Sequence, residues 1–141
     1  MSAAPGARLV AVLIVTMMVV TACGNDDAVT RSTEAVVFGQ GSIPEAVPDD
    51  FPIPSNAVVG TTLVDKINNR SEFRLTVQAD LTSTVQFFQI GLVNQGYIIS
   101  SSEGSSTEWI MSFSDGEIDG QILSTPQGQG LSVSVISVNR S

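Results

Sequence analysis

The chain has 141 residues, and its 14 acidic residues outnumber its 6 basic residues, which gives a formal net charge of −8. This length allows one globular domain with appended segments. The acidic balance argues against a nucleic-acid partner and against polybasic binding to anionic lipid, because Lys and Arg bind phosphates. With no His and one Cys, a single chain cannot assemble a Ser–His–Asp triad, a Cys–His nucleophile, a Cys/His zinc site or a disulfide.

The first predicted element is an export signal over residues 1–22. Residues 1–8 carry the α-amino group and Arg8, and the apolar run that follows spans only the twelve residues 9–20. A transmembrane helix needs about 20 apolar residues. The short run is therefore typical of a signal peptide and not of a permanent membrane span.

The apolar run ends at Val20-Thr21-Ala22-Cys23. These residues resemble the lipobox of bacterial lipoproteins, in which an aliphatic residue and two small residues precede the cysteine that becomes the mature N-terminus. The resemblance implies cleavage before Cys23, lipid attachment to its thiol, and an anchor on the outer face of the bacterial cell membrane. Two or three long acyl chains bind a bilayer effectively permanently, at about 0.8 kcal/mol per buried methylene. The alternative is a free thiol in an ordinary secretory signal or in a membrane-anchor helix.

Residues 23–50 are predicted to form a flexible, lipid-anchored tether. They contain Asp, Thr, Ser, Gly and Pro without a sustained hydrophobic period. Their one apolar cluster is Val36, Val37 and Phe38. It is interpreted as an incidental patch or an extra edge strand, with a binding segment as the alternative.

The folded domain is assigned to residues 51–141, and a proline-rich lead-in over residues 48–54 leads into it. Its prolines favour extended backbone, so Phe51 and Ile53 are predicted to project to the same side and close one edge of the core. This Asp-Phe-Pro-Ile-Pro element ahead of a β-rich domain is similar to a pattern in small lipoproteins of actinobacteria. The resemblance implies no particular activity.

Two strands and a helix follow the lead-in. Residues 57–65 are apolar and β-branched, and residues 68–71 form the turn into residues 72–79, which alternate apolar and polar side chains. A helix is predicted over residues 82–95, with Gly96 beyond its C-terminus. Its core stripe has four apolar residues at helical spacing, Leu81, Val85, Phe88 and Leu92.

Phe87 and Ile90 fall outside this stripe. We expect them to pack under the proline lead-in or at the rim of the domain. An exposed partner surface is the alternative.

Four further strands are predicted after the helix: residues 97–99, 107–114, 117–125 and 131–138. Residues 100–106 are expected to form a turn or loose strand end, Asp115-Gly116 a hairpin, and residues 126–130 a connection. Serines are expected in turns or on water-facing strand positions. The order ββαββββ predicts an α+β fold, in which a single antiparallel sheet carries one helix on its apolar face.

The densest acidic group is Asp115, Glu117 and Asp119, with carboxylates at alternate positions. A calcium loop of the EF-hand type would need a bidentate Glu at its twelfth position, where this chain has Pro126. The hairpin is therefore the favoured interpretation. It places Glu117 and Asp119 on the solvent face of a strand and Ile118 in the core.

Glu117 and Asp119 are also compatible in distance with a glycosidase acid–base pair, because side chains two apart on a strand lie about 7 Å from each other. Acid pairs on exposed strands are common and keep a protein soluble. Glu117 and Asp119 are therefore interpreted as surface residues. Trp109 is expected in the core, with Met111 and Phe113. A sugar-stacking platform would require the strand register to shift by one residue.

The sequence therefore favours a non-enzymatic envelope lipoprotein that binds or scaffolds a protein, lipid or glycan partner and needs no cofactor. No catalytic or metal-binding residue is assigned, and Cys23 is the assigned lipid-attachment site. The alternative function is a small carboxylate-dependent hydrolase or a calcium-binding module that uses Asp115, Glu117 and Asp119.

Overall fold

The computed structural model describes residues 35–141. Cys23, the predicted signal peptide and the first part of the predicted tether lie outside this range. The elements in chain order are β1 (Val36–Gln40), β2 (Ala57–Asp65), β3 (Arg70–Val77), α1 (Leu81–Asn94), β4 (Ile98–Gly104), β5 (Trp109–Ser114), β6 (Ile118–Gly128) and β7 (Leu131–Arg140). Within residues 35–141, no helix is long and apolar enough to cross a bilayer.

The seven strands form one antiparallel sheet in the order β1-β2-β3-β7-β6-β5-β4. The first three strands form a meander, and α1 then carries the chain to the far edge of the sheet. Strands β4 to β7 return as a second meander, and β7 pairs with β3 in the centre. For residues 35–141, this arrangement confirms the predicted α+β class, the single antiparallel sheet and the single helix.

The sheet has one strand more than predicted, because β1 lies inside the segment 23–50 that was assigned to the tether. Val37 pairs with Val64 and Phe38 with Leu63, so the edge strand is the interpretation that the structure supports. No residue of β1 is buried. The strand therefore needs no alternating apolar pattern, which is why the local sequence did not decide the question. Val47, later in the same segment, is buried.

Helix α1 packs on one face of the sheet through its predicted stripe. The four stripe residues are all buried, and the helix begins and ends one residue earlier than predicted. Asp80 caps its N-terminus, since one carboxylate oxygen accepts a hydrogen bond from the backbone N–H of Ser83 at 2.7 Å. Gly96 follows the C-terminus with a φ of +89°, as expected for a glycine at this position.

The proline lead-in closes the core as predicted. Phe51 is 4% exposed, and its ring centroid lies 6.1 Å from that of Phe73, 6.0 Å from that of Tyr97 and 5.5 Å from that of Phe113. Ile53 is partly buried against the same core. These edge-to-face and tilted contacts are favourable aromatic geometries, so the lead-in is an integral part of the domain.

The expectation that serines face water is wrong for the centre of the sheet. Ser132 and Ser134 of β7 are fully buried, and Ser132 faces the helix, where its Oγ lies 2.7 Å from Oγ1 of Thr84. The Oγ of Ser134 lies 2.7 Å from that of Ser124 on β6. Small side chains let the helix approach the sheet closely, and paired hydroxyls avoid the cost of unsatisfied burial.

Two connections also differ from the prediction. The Ser-Gly run at residues 100–106 is mostly strand, because β4 continues to Gly104 along β5. The β6–β7 connection is shorter than residues 126–130, because Gly128 pairs with Leu131. Gln129 and Gly130 have φ values of 53° and 73°, which are typical of a two-residue type I′ hairpin turn.

Candidate functional site

The acidic group lies at the β5–β6 hairpin. One carboxylate oxygen of Asp115 accepts hydrogen bonds from the backbone N–H groups of Ile118 and Glu117, both at 2.8 Å, and these bonds lower the pKa of Asp115. Gly116 adopts a φ of +94° in the turn. Glu117 and Asp119 are exposed and Ile118 is buried, as predicted. Asp115 therefore stabilises the hairpin.

These carboxylates are not gathered into a metal site. In the part of the chain that the structure describes, no three His, Cys, Asp or Glu side chains are placed so that they could hold a metal ion. The geometry thus adds no support to the calcium alternative for Asp115, Glu117 and Asp119.

A groove of about 620 Å³ lies elsewhere, between the first half of α1 and the sheet. Its apolar lining comes from four residues on the helix, β5 and β6: Leu81, Val85, Trp109 and Pro126. Its volume falls within the range of small-molecule sites, roughly 300–1,000 Å³. This groove is the candidate binding site of the domain.

In residues 35–141, Trp109 is the one aromatic residue that lines the groove. Its indole Nε1 donates a hydrogen bond to Oγ of Ser102 on β4 at 3.0 Å, and Nε2 of Gln89 on α1 donates to the same oxygen at 2.8 Å. Trp109 is partly buried against the core. Trp109 therefore packs against the core, as predicted, and also lines the groove. A sugar-stacking role was expected to need a register shift of one residue, but Trp109 reaches the groove without it.

The polar lining consists of amides, hydroxyls and one carboxylate: Asp80, Thr82, Gln86, Gln89, Ser105 and Ser106. The hydrogen bonds that Asp80 accepts from Ser83 lower the pKa of its carboxyl, so it carries a negative charge at neutral pH. Among the described residues, no Lys or Arg lines the groove. The site is therefore neutral to weakly negative and rich in groups that both donate and accept hydrogen bonds.

Phe87 and Ile90 lie on the outer face of α1. Phe87 is 38% exposed and Ile90 is 63% exposed, and the Phe87 ring packs edge-on against Phe88 at 5.5 Å. The helix residue that meets the lead-in is Gly91, where an added Cβ would lie 2.7 Å from Cβ of Pro52. Whether Phe87 and Ile90 contact a partner stays a prediction.

Sequence reasoning missed Gln86, Gln89 and Ser102 as residues of a site. Gln86 and Gln89 belong to α1 and Ser102 belongs to β4, and the fold brings these two elements together. One feature of the sequence pointed to a site on the helix: the exposed positions of α1 contain no charged side chain.

Comparison of the chain with models of known families, with curated proteins and with solved structures found no significant match.

Proposed function

We propose that the protein is a lipoprotein of the bacterial cell envelope that binds a neutral glycan in the groove beside Trp109. Acyl chains on Cys23 would hold it on the outer face of the cell membrane, and the lipobox resemblance supports that anchor. The observation that carries the binding proposal is the Trp109 indole, which donates a hydrogen bond to Ser102 and lines a groove whose polar groups, apart from Asp80, are neutral.

The chemistry of the groove suits a sugar. A pyranose ring presents C–H groups that pack on an aromatic face and hydroxyls that need both donors and acceptors. Trp109 offers the flat apolar surface. The amides of Gln86 and Gln89 and the hydroxyls of Ser105 and Ser106 line the same space.

The same lining disfavours other ligand classes. Phosphate-containing ligands are bound by Arg, Lys or backbone N–H groups, whereas this groove has the negative charge of Asp80. Glycoside hydrolysis needs two carboxyl groups across the scissile bond, and Asp80 is the one carboxylate that lines the groove in residues 35–141. Binding without turnover is therefore the proposed activity.

Titration of the purified full-length lipoprotein with cell-wall glycan oligosaccharides tests the binding proposal. Trp109 is the sole Trp of the chain, so its fluorescence reports directly on the groove. Gln86 is exposed on α1 and lines the groove, and Gln86→Ala should weaken binding about 5–10-fold, corresponding to one hydrogen bond of about 1 kcal/mol. The matched control is Gln121→Ala, because Gln121 is exposed on the sheet face away from α1. Equal affinities of both variants would contradict the proposal.

The anchor is tested separately by metabolic labelling with a fatty-acid analogue. We expect the wild-type protein to take up the label and the Cys23→Ser variant to remain unlabelled. Label on the Cys23→Ser protein would show that the acyl chains are attached elsewhere or that the lipobox assignment is wrong.

A further inference from the structure

The sheet face that points away from α1, here called the open face, carries an apolar row. The strand register places Val135 of β7, Leu123 of β6 and Ile110 of β5 side by side, and all three are half-buried. Helix α1 and the lead-in pack on the other face, and among residues 35–141 no helix or strand covers the open face. The free face of an antiparallel sheet ordinarily carries polar side chains, so the apolar row indicates a surface that binds a partner.

The apolar row ends in opposite charges. Arg74 of β3 pairs with Val135 and Glu103 of β4 pairs with Ile110, so both lie on the open face, and both are exposed. Among the described residues the one ion pair is formed by two other side chains, which leaves both charges unpaired. The row therefore runs across five neighbouring strands in the order Arg74, Val135, Leu123, Ile110, Glu103.

This order makes the row complementary to a second copy of itself. When two sheets pack face to face about a two-fold axis parallel to the strands and passing over Leu123, Arg74 of each copy faces Glu103 of the other. Val135 then faces Ile110, and Leu123 faces Leu123. An axis perpendicular to the strands would instead place Arg74 on Arg74 and Glu103 on Glu103. The charges therefore select the first arrangement.

The other charged strand residues of the open face are compatible with this axis. Arg70 and Glu72 form an ion pair with each other, and the carboxylate of Asp65 binds the backbone of its own turn. Asp119 lies on β6 four residues from Leu123, a distance of about 13 Å. Because facing sheets pack at about 30° to each other, the two copies of Asp119 would be displaced sideways by about 7 Å, and they would stay solvated at the rim. The remaining acidic and basic residues at the ends of these strands belong to turns: Lys66, Glu108, Asp115 and Glu117.

We propose that two copies of the chain associate through the open face as a two-fold dimer, with Leu123 at the axis and an Arg74–Glu103 ion pair on each side. This inference goes beyond the proposed function and depends neither on the glycan ligand nor on the lipid anchor. The groove beside Trp109 lies on the helix side of the sheet, so both grooves of the dimer stay accessible. A dimer would thus offer two binding sites to one glycan chain.

Sedimentation equilibrium of the full-length lipoprotein, in density-matched detergent with micelles in excess over protein, tests the dimer. Arg74→Glu and Glu103→Arg each replace both ion pairs by like-charge contacts, and each should weaken dimerisation at least about 10-fold. An equimolar mixture of these two variants forms mixed dimers in which both ion pairs are restored, so dimerisation should recover. The matched control is Glu117→Arg, the same charge change at an exposed hairpin residue outside the row, which should dimerise like the wild-type protein.

Recovery in the mixture would also show that both single variants are folded. A wild-type protein that sediments as a monomer would overturn the proposal. A wild-type dimer that survives both single reversals would overturn the assignment of the interface to the open face. Weakening in both single variants without recovery in the mixture would overturn the proposed axis, because Arg74 and Glu103 would then not face each other.

Discussion

Thr84 of the helix and Ser132 of the central strand β7 share a hydrogen bond between hydroxyls 2.7 Å apart, and both residues are almost fully buried. Ser132→Ala would leave the Thr84 hydroxyl buried without this partner, so we expect a loss of about 1–3 kcal/mol in the free energy of unfolding. Thr84→Val combined with Ser132→Ala removes both hydroxyls and should cost clearly less than the sum of the single changes. Urea unfolding of the four proteins measures this coupling. Additive losses would contradict the role of the bond.

The contact between Gly91 and Pro52 predicts that a better helix former will destabilise the domain. Ala is favoured over Gly in helices by about 1 kcal/mol, but its Cβ would lie 2.7 Å from Cβ of Pro52. Overpacking typically costs about 1–3 kcal/mol, and the rigid lead-in leaves little room to relax. We expect Gly91→Ala to lower the melting temperature.

The control for Gly91 is Asn94→Ala, an exposed position on the same helix. Here alanine gains helix propensity without a clash, so the melting temperature should stay unchanged or rise slightly. A rise in both variants would show that the lead-in yields to the helix.

The sequence predicted the elements whose signal is local. Strand β2, the helix and its four-residue stripe follow from β-branched content and from helical spacing, and the Asp115-Gly116 hairpin follows from turn chemistry. The register of β7 was not predictable in this way. Valine and serine alternate on that strand, and the valines would ordinarily be placed inward. The face of β7 that carries Ser132 and Ser134 also carries Ile136 and Val138, which are buried in the core. The apolar residues of the second half of the strand therefore face the core together with these serines.

The candidate site could not be predicted from local sequence patterns either, because its residues meet only in the folded structure. Gln89, Ser102 and Trp109 stand on a helix and two strands, and one oxygen of Ser102 joins the other two. That meeting depends on the crossover of α1 to the far edge of the sheet. A single sequence could indicate a lone tryptophan in a strand and a helix without charges, but not that they face each other.

Ser102 is predicted to position the Trp109 indole. In Ser102→Ala the indole N–H and the Gln89 amide both lose their acceptor, so Trp109 should become more mobile and more accessible. We expect stronger quenching of its fluorescence by acrylamide, together with about 5–10-fold weaker glycan binding, a loss of about 1 kcal/mol. Ser101→Ala changes an exposed neighbour on the same strand and should alter neither. Unchanged quenching in Ser102→Ala would show that packing alone holds the ring.

Tyr97, the only tyrosine of the chain, is predicted to make the free energy of unfolding of the domain fall as the pH rises in the alkaline range. Burial, with the nearby charges of Asp50 and Asp115, raises its pKa to about 12, against about 10 for an unfolded chain. The neutral phenol is therefore favoured by the folded state, and its contribution is full below about pH 10 and is lost as the pH rises toward 12. Phenolate absorbance should titrate near 12 in the folded protein and near 10 in guanidinium chloride. The Tyr97→Phe variant should show no phenolate titration, and it should lose less stability at alkaline pH than the wild-type protein. A titration midpoint near 10 in the folded wild-type protein would contradict the prediction, because the ring would then be solvated.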